Sequence, residues 1–166
     1  RVMSSPAGPA TVSTLKEAAQ FAAAGVRDII YAVGIAPSKL ARVLELRAEG
    51  VNLAVVLDTV EQAQAVAAAA LAAGVRIPAL IEIDCDGHRS GVLPTDRARL
   101  IEIGRVLDRG AELRGVLTHA GGSYNARGAQ ALQQCAEAER AGVVAAANIL
   151  REAGLPRREA ILQAGR

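Results

Sequence analysis

One phrase, repeated four times, constrains this chain more than any other feature. Ala23-Ala24-Gly25-Val26 leads into Asp28-Ile29-Ile30-Tyr31-Ala32-Val33, and Ala48-Glu49-Gly50-Val51 leads into Leu53-Ala54-Val55-Val56-Leu57. Ala72-Ala73-Gly74-Val75 precedes Ala79-Leu80-Ile81-Glu82-Ile83, and Arg109-Gly110-Ala111 precedes Leu113-Arg114-Gly115-Val116-Leu117. Each reads as a helix closed by glycine, where a left-handed cap costs least, followed by a short apolar run. The first two glycine intervals are 25 and 24 residues, the length of one helix, one strand and two short loops. Helix starts are also legible, because Thr14-Leu15-Lys16-Glu17 and Thr59-Val60-Glu61-Gln62 both fit a capping box. A further helix is expected from Ala129 to Arg151, ending near Gly154.

Strands are therefore predicted near residues 10, 28, 52, 79 and 113, with a weaker sixth near 160. Strict alternation with helices argues a parallel α/β sheet with right-handed crossovers. The strands are near-continuous hydrophobic runs, as expected of strands covered on both faces. Two architectures compete at this point: a doubly wound sheet, and part of a (β/α)8 barrel, whose usual length is about 250 residues. No Gly-x-Gly-x-x-Gly turn follows the first strand, so nothing points to a dinucleotide fold.

The 166 residues suit one domain, 1–166, and 51% hydrophobic content excludes disorder. Aromatics are 2%, so the core is built from Ala, Val, Leu and Ile. The 19 basic and 17 acidic side chains are scattered, without a basic block or a stacking platform, which argues against nucleic-acid binding. Charges interrupt every apolar stretch, so no membrane span is expected. Cys85 and Cys135 lack metal or redox spacing, and free thiols suit a reducing cytoplasm. Of the 19 basic residues only Lys16 and Lys39 are lysines, which limits any chemistry needing an amine nucleophile. The chain opens on Arg1-Val2 without a leader and reads as the inside of a longer protein.

In either architecture the site lies beyond the carboxyl ends of the strands. Two of the loops expected there are unusually rich: Asp84-Cys85-Asp86-Gly87-His88-Arg89-Ser90-Gly91 and Thr118-His119-Ala120-Gly121-Gly122-Ser123-Tyr124. Both histidines fall in these loops. Asp84 alone reads as a cap for a neighbouring amide, Cys85 as a small buried hydrophobe, and Tyr31 as core. Arg89, between two glycines just past a strand end, reads as an inward contact for an anion or oxygen. His119 reads as a site residue by virtue of its companion loop. Two chemistries remain open on the residues alone. Asp84, Asp86, His88 and His119 have the types that bind a divalent metal. Alternatively, Arg89, His119 and Tyr124 surround an anionic organic cofactor, with glycine-rich backbone at its phosphate.

Longer stretches carry a resemblance. Pro9-Ala10-Thr11-Val12-Ser13-Thr14-Leu15-Lys16-Glu17-Ala18, with Gly25-Val26-Arg27-Asp28-Ile29, resembles the second βα unit of the alanine racemase N-terminal-domain family. Glu82-Ile83-Asp84-Cys85-Asp86-Gly87-His88-Arg89-Ser90-Gly91-Val92 and Leu113–Tyr124 resemble successive strands and loops of its D-threonine aldolase and D-serine dehydratase-like branch. The likeness runs over about residues 9–155 in the family's order. It implies a partial TIM (β/α)8 barrel, with parallel strands in sequential order, covering units two to six and the start of a seventh. It also implies pyridoxal phosphate as cofactor, a homodimer, and a small D-amino acid substrate.

By the same resemblance, Arg89 lies near the ring's phenolic oxygen, and His119 and Tyr124 border the cofactor, with His119 a possible catalytic group. The family's Schiff-base lysine ends the first barrel strand, upstream of the segment matching Pro9. Neither Lys16 nor Lys39 matches it, so the chain by itself is expected to be inactive. Zinc ligands in this branch come from a domain after the barrel. The expected activity of the parent protein is a lyase on D-hydroxy amino acids, of dehydratase or aldolase type. A racemase of the same fold, a non-catalytic carrier of the cofactor and a metal-dependent hydrolase are the alternatives.

Overall fold

The computed structural model describes residues 9–87 and 89–155, together with the backbone of 159–162. His88 therefore lies outside the described residues. The elements alternate as the sequence predicts: β1 (Ala10–Val12), α1 (Leu15–Ala23), β2 (Asp28–Gly34), α2 (Leu40–Ala48), β3 (Asn52–Leu57), α3 (Val60–Ala72), β4 (Pro78–Ile83), α4 (Arg97–Gly110), β5 (Glu112–Thr118), α5 (Ala129–Glu152) and β6 (Glu159–Leu162). A 3-10 turn, Pro37–Lys39, precedes α2, and a second, Gly122–Tyr124, lies between β5 and α5.

Both expected capping boxes are formed. The Thr14 hydroxyl accepts from the Glu17 amide while Glu17 reaches back, and Thr59 and Gln62 do the same at α3. Gly25, Gly50 and Gly74 have φ of +92°, +84° and +65°, the left-handed conformation expected after α1, α2 and α3. Gly110 departs from that pattern. It is the buried last residue of α4 and does not have a positive φ. A Cβ there would sit 2.6 Å from the Ala67 Cβ, so its smallness lets α4 lie close on α3.

All five pairings are parallel, and the strand order is β1-β2-β3-β4-β5-β6. An order that never reverses rules out the doubly wound alternative. Side chains then divide the sheet into two faces. Ile29, Tyr31, Val55, Leu57, Ala79, Ile81, Ile83 and Val116 pack in the large core with residues of the helices. Ile30, Ala54, Val56, Leu80 and Leu117 form a second cluster without them. Helices on one face and a separate apolar layer on the other give an arc of a (β/α)8 barrel, whose interior is filled by side chains. Shifts of register occur after Tyr31 and after Ala79.

Candidate functional site

Period-two alternation decides which side chains reach the barrel mouth. Ala32 shares the phase of Ile30, Glu82 that of Leu80, and His119 that of Leu117. These residues lie at or just past the carboxyl ends of β2, β4 and β5. There they line a cavity of about 560 Å³ together with Val33, Gly34, Arg89 and Ser90. Arg89 and His119, from loops thirty residues apart, thus meet at one site. The apolar cluster of Leu80, Val56 and Leu117 lies on the same face of the sheet.

The loop after β4 is an excursion tied at its base. The Asp84 amide donates to the Val92 carbonyl (3.0 Å), and the Val92 amide donates to the Glu82 carbonyl (2.9 Å). Gly91, at φ +133°, makes that return possible. A Cβ there would fall 2.5 Å from the Asp84 nitrogen and 2.6 Å from the Ile83 carbonyl carbon. The Gly91 amide also donates to Asp58 Oδ2 at 3.0 Å, which anchors the loop to the end of β3. The Thr118 hydroxyl, fully buried, donates to the Ile83 carbonyl at 2.7 Å and fastens the ends of β4 and β5 together.

Asp84 and Asp86 are both engaged within the loops. Asp84 Oδ1 accepts from the Gly87 amide (2.9 Å), the capping role read from the sequence. Asp86 Oδ2 accepts from the Gly121 and Gly122 amides (2.9 and 2.6 Å). Among the described residues no group of three or more His, Cys, Asp or Glu is placed to hold a metal ion. Cys85 packs against the core as a small apolar group, and burial pushes its thiol pKa up. Tyr124 is 48% exposed, and its ring lies 6.5 Å from that of His119. Tyr124 neighbours the cavity through His119 and does not line it.

Neither lysine lines the cavity. Lys16 lies exposed on α1, and the Lys39 ammonium donates to the Tyr31 hydroxyl at 2.7 Å. Tyr31 is fully buried on the helix side of the sheet, so Lys39 is drawn away from the barrel mouth.

Glu82 was not singled out from the sequence, yet it is the carboxylate in the cavity wall. It is 9% exposed, and burial raises its pKa to about 7, with Asp58 and Asp84 adding to the rise and Arg89 opposing it. The available signal was a lone acid in the inward phase of an otherwise apolar strand. On α5, Glu139 is 8% exposed, and its pKa is raised by burial and by Asp86, with His119 opposing. His119 Nδ1 is buried without a hydrogen-bond partner. The site therefore presents a guanidinium, an imidazole with spare polar capacity and a carboxyl group poised to hold a proton near neutrality. That set complements a polar, anionic aromatic ligand, and pyridoxal phosphate fits its chemistry.

A singly wound sheet with polar groups gathered at its carboxyl end defines a (β/α)8-barrel protein with its site at the usual face. The chain belongs to the alanine racemase N-terminal-domain family, whose model matches residues 2–164. Over 147 residues it is 55% identical to the D-threo-3-hydroxyaspartate dehydratase of Delftia sp. (strain HT23), a match covering 88% of this chain and 39% of the relative. The solved structure of that dehydratase superimposes with a TM-score of 0.90 at 53% identity, over 92% of this chain and 40% of its own. An alanine racemase-like protein from Idiomarina loihiensis gives 0.91 at 40% identity, over 99% and 48%. D-threonine aldolase from Filomicrobium marinum gives 0.74 at 24% identity, over 93% and 47%, which is a likeness of fold alone. The chain thus spans about 40% of the length of the dehydratase it matches. Among the described residues, no helix is long and apolar enough to cross a membrane.

Proposed function

We propose that residues 1–166 are one domain, the cofactor-bearing barrel portion of a pyridoxal-phosphate lyase that dehydrates a D-3-hydroxy amino acid. One observation carries this reading: Glu82, Arg89 and His119 converge on one cavity at the strand ends. The similarity to a D-threo-3-hydroxyaspartate dehydratase supports the dehydratase over the aldolase. The protein would work in the cytoplasm, to which its free thiols are suited. A homodimer is part of the same reading.

The bound cofactor supplies an electron sink for the pair left at the substrate Cα. Arg89, in the cavity wall, would hold and orient the cofactor ring. Glu82, beside Arg89 in the cavity wall, holds or releases a proton at its carboxyl near neutral pH. His119 would border the ring and offer a nitrogen for hydrogen bonding or proton transfer, with the Tyr124 ring 6.5 Å from the imidazole. A divalent metal belongs, in this reading, to ligands outside the described residues.

The test is the full-length protein loaded with pyridoxal phosphate and given D-threo-3-hydroxyaspartate, D-serine and D-threonine. Equal amounts of 2-oxo acid and ammonia are expected, from loss of water across Cα–Cβ followed by hydrolysis. Release of glycine and an aldehyde would instead make the protein an aldolase, inversion of the substrate a racemase, and cofactor binding without turnover a carrier. Arg89→Ala should shift the cofactor's absorbance and reduce turnover with the fold intact. Unchanged spectra and kinetics would show Arg89 to be a solvated loop charge.

A further inference from the structure

The two loops that carry Arg89 and His119 are joined by a side chain that does not line the cavity. Asp86 Oδ2 accepts from two successive amides, Gly121 at 2.9 Å and Gly122 at 2.6 Å, across thirty-five residues of sequence. An anionic acceptor shared by two N–H donors is among the stronger arrangements available to a loop. Neither glycine has a positive φ, so turn conformation does not explain why both positions lack a side chain. Space does. A Cβ on Gly121 would lie 3.2 Å from Arg89 Cδ and 3.5 Å from Arg89 Cγ, and one on Gly122 would lie 3.2 Å from Asp86 Oδ2. The glycine pair is therefore a flat platform: the Asp86 carboxylate accepts from both amides, and the stem of Arg89 rests against Gly121. His119 is two residues upstream of that platform.

We infer that Asp86 is a positioning residue that docks the loop after β5 against the loop after β4 and thereby sets where Arg89 and His119 stand relative to each other. Asp86 touches no reacting atom. Its action passes through the Gly121-Gly122 backbone to His119, and the same contact seats Arg89. The importance of that spacing for a bound cofactor rests on the function proposed above; the clamp itself does not.

Three variants of the full-length protein test this. Asp86→Ala removes the acceptor, Asp86→Asn keeps an acceptor without the charge, and Gly121→Ala leaves the carboxylate in place while crowding Arg89. Hydrogen exchange at the Gly121 and Gly122 amides reads the clamp directly. Pyridoxal-phosphate titration, with KM and kcat, reads its consequence. Asp86→Ala is expected to speed exchange at both amides and to weaken cofactor binding about tenfold or more, the order expected for loss of a hydrogen bond to a charged group. Asp86→Asn should recover part of both losses. Gly121→Ala should weaken the cofactor while leaving the Gly122 amide protected. Should Asp86→Ala fail to fold, Asp86→Asn and Gly121→Ala still decide between the outcomes. Unchanged exchange in the Asp86 variants would overturn the clamp, and faster exchange with wild-type cofactor affinity and kinetics would overturn its positioning role. If the wild type takes up no cofactor, the proposed function fails while the exchange measurement still decides the clamp.

Discussion

Gly91→Ala is the substitution for which the structure allows the most specific forecast, because a second glycine supplies its control. At Gly50, φ is +84° and nothing lies within 4 Å of a built Cβ. Alanine there meets only the backbone penalty of the left-handed region, about 1–2 kcal/mol. At Gly91, φ is +133°, and the Cβ would overlap the backbone of Asp84 and Ile83 at 2.5 and 2.6 Å. A backbone conformation of that kind costs about 1–3 kcal/mol for a non-glycine residue. Forcing atoms into a filled space costs about 1–3 kcal/mol more. The sum is about 2–6 kcal/mol, and it falls on the two hydrogen bonds that close the loop, from the Asp84 amide to Val92 and from the Val92 amide to Glu82.

The two variants should therefore differ in place as well as in size. Native-state hydrogen exchange resolves local opening amide by amide. In Gly91→Ala the Asp84 and Val92 amides should lose at least about 30-fold in protection, the equivalent of the lower bound above. In Gly50→Ala those amides should lose no more than the general fall in stability. Equal protection at Asp84 and Val92 in both variants would refute the reasoning. It would mean that the chain relaxes around the new methyl and that close approach at Gly91 does not hold the end of β4.

Further expectations concern the same strand ends. Glu82 has a folded-state pKa of about 7, raised from 4.5 chiefly by burial, so the folded protein keeps a proton that the unfolded chain releases. Its contribution is thus full below the ordinary carboxyl range and is lost as pH rises through about 7, on the order of 3 kcal/mol in all. Glu82→Gln should flatten the fall in melting temperature between pH 5 and 8, and a wild-type slope in the variant would show that the carboxyl is not the cause. Thr118→Val deletes the buried donor to the Ile83 carbonyl and should cost about 1–2 kcal/mol in thermal stability. No loss would mean that another donor takes over that carbonyl.

The fold was legible because its grammar is local. A helix, a glycine with positive φ and an apolar strand recur within about 25 residues, and Thr14 and Thr59 mark helix starts with their own side chains. Gly110 shows where local reading stops. Its place in the repeated phrase suggests a cap, but its role is set by Ala67 on a neighbouring helix, a partner that the phrase does not contain. The choice between barrel arc and doubly wound sheet likewise needed either the strand order or the family resemblance. The repeat is compatible with both, because each is made from the same βα unit.

The site divides along the same line. Arg89 and His119 stand in loops at strand ends, where an α/β protein keeps its polar residues, so position alone brought them forward. Glu82 did not stand out in this way, and Asp86 stood out for a different role. Glu82 lies inside a strand, and its direction follows only once the register places it in phase with Leu80 rather than with Ile81 and Ile83. Asp86 has the composition of a metal ligand when read beside Asp84 and His88. Its carboxylate is instead directed to two amides thirty-five residues on, which become neighbours only because β4 and β5 pair in parallel with their carboxyl ends aligned. A carboxylate in a rich loop is thus ambiguous by type, and the ambiguity resolves through what the adjacent strand brings alongside. Here the adjacent strand brings backbone donors on two glycines, a set suited to holding a loop.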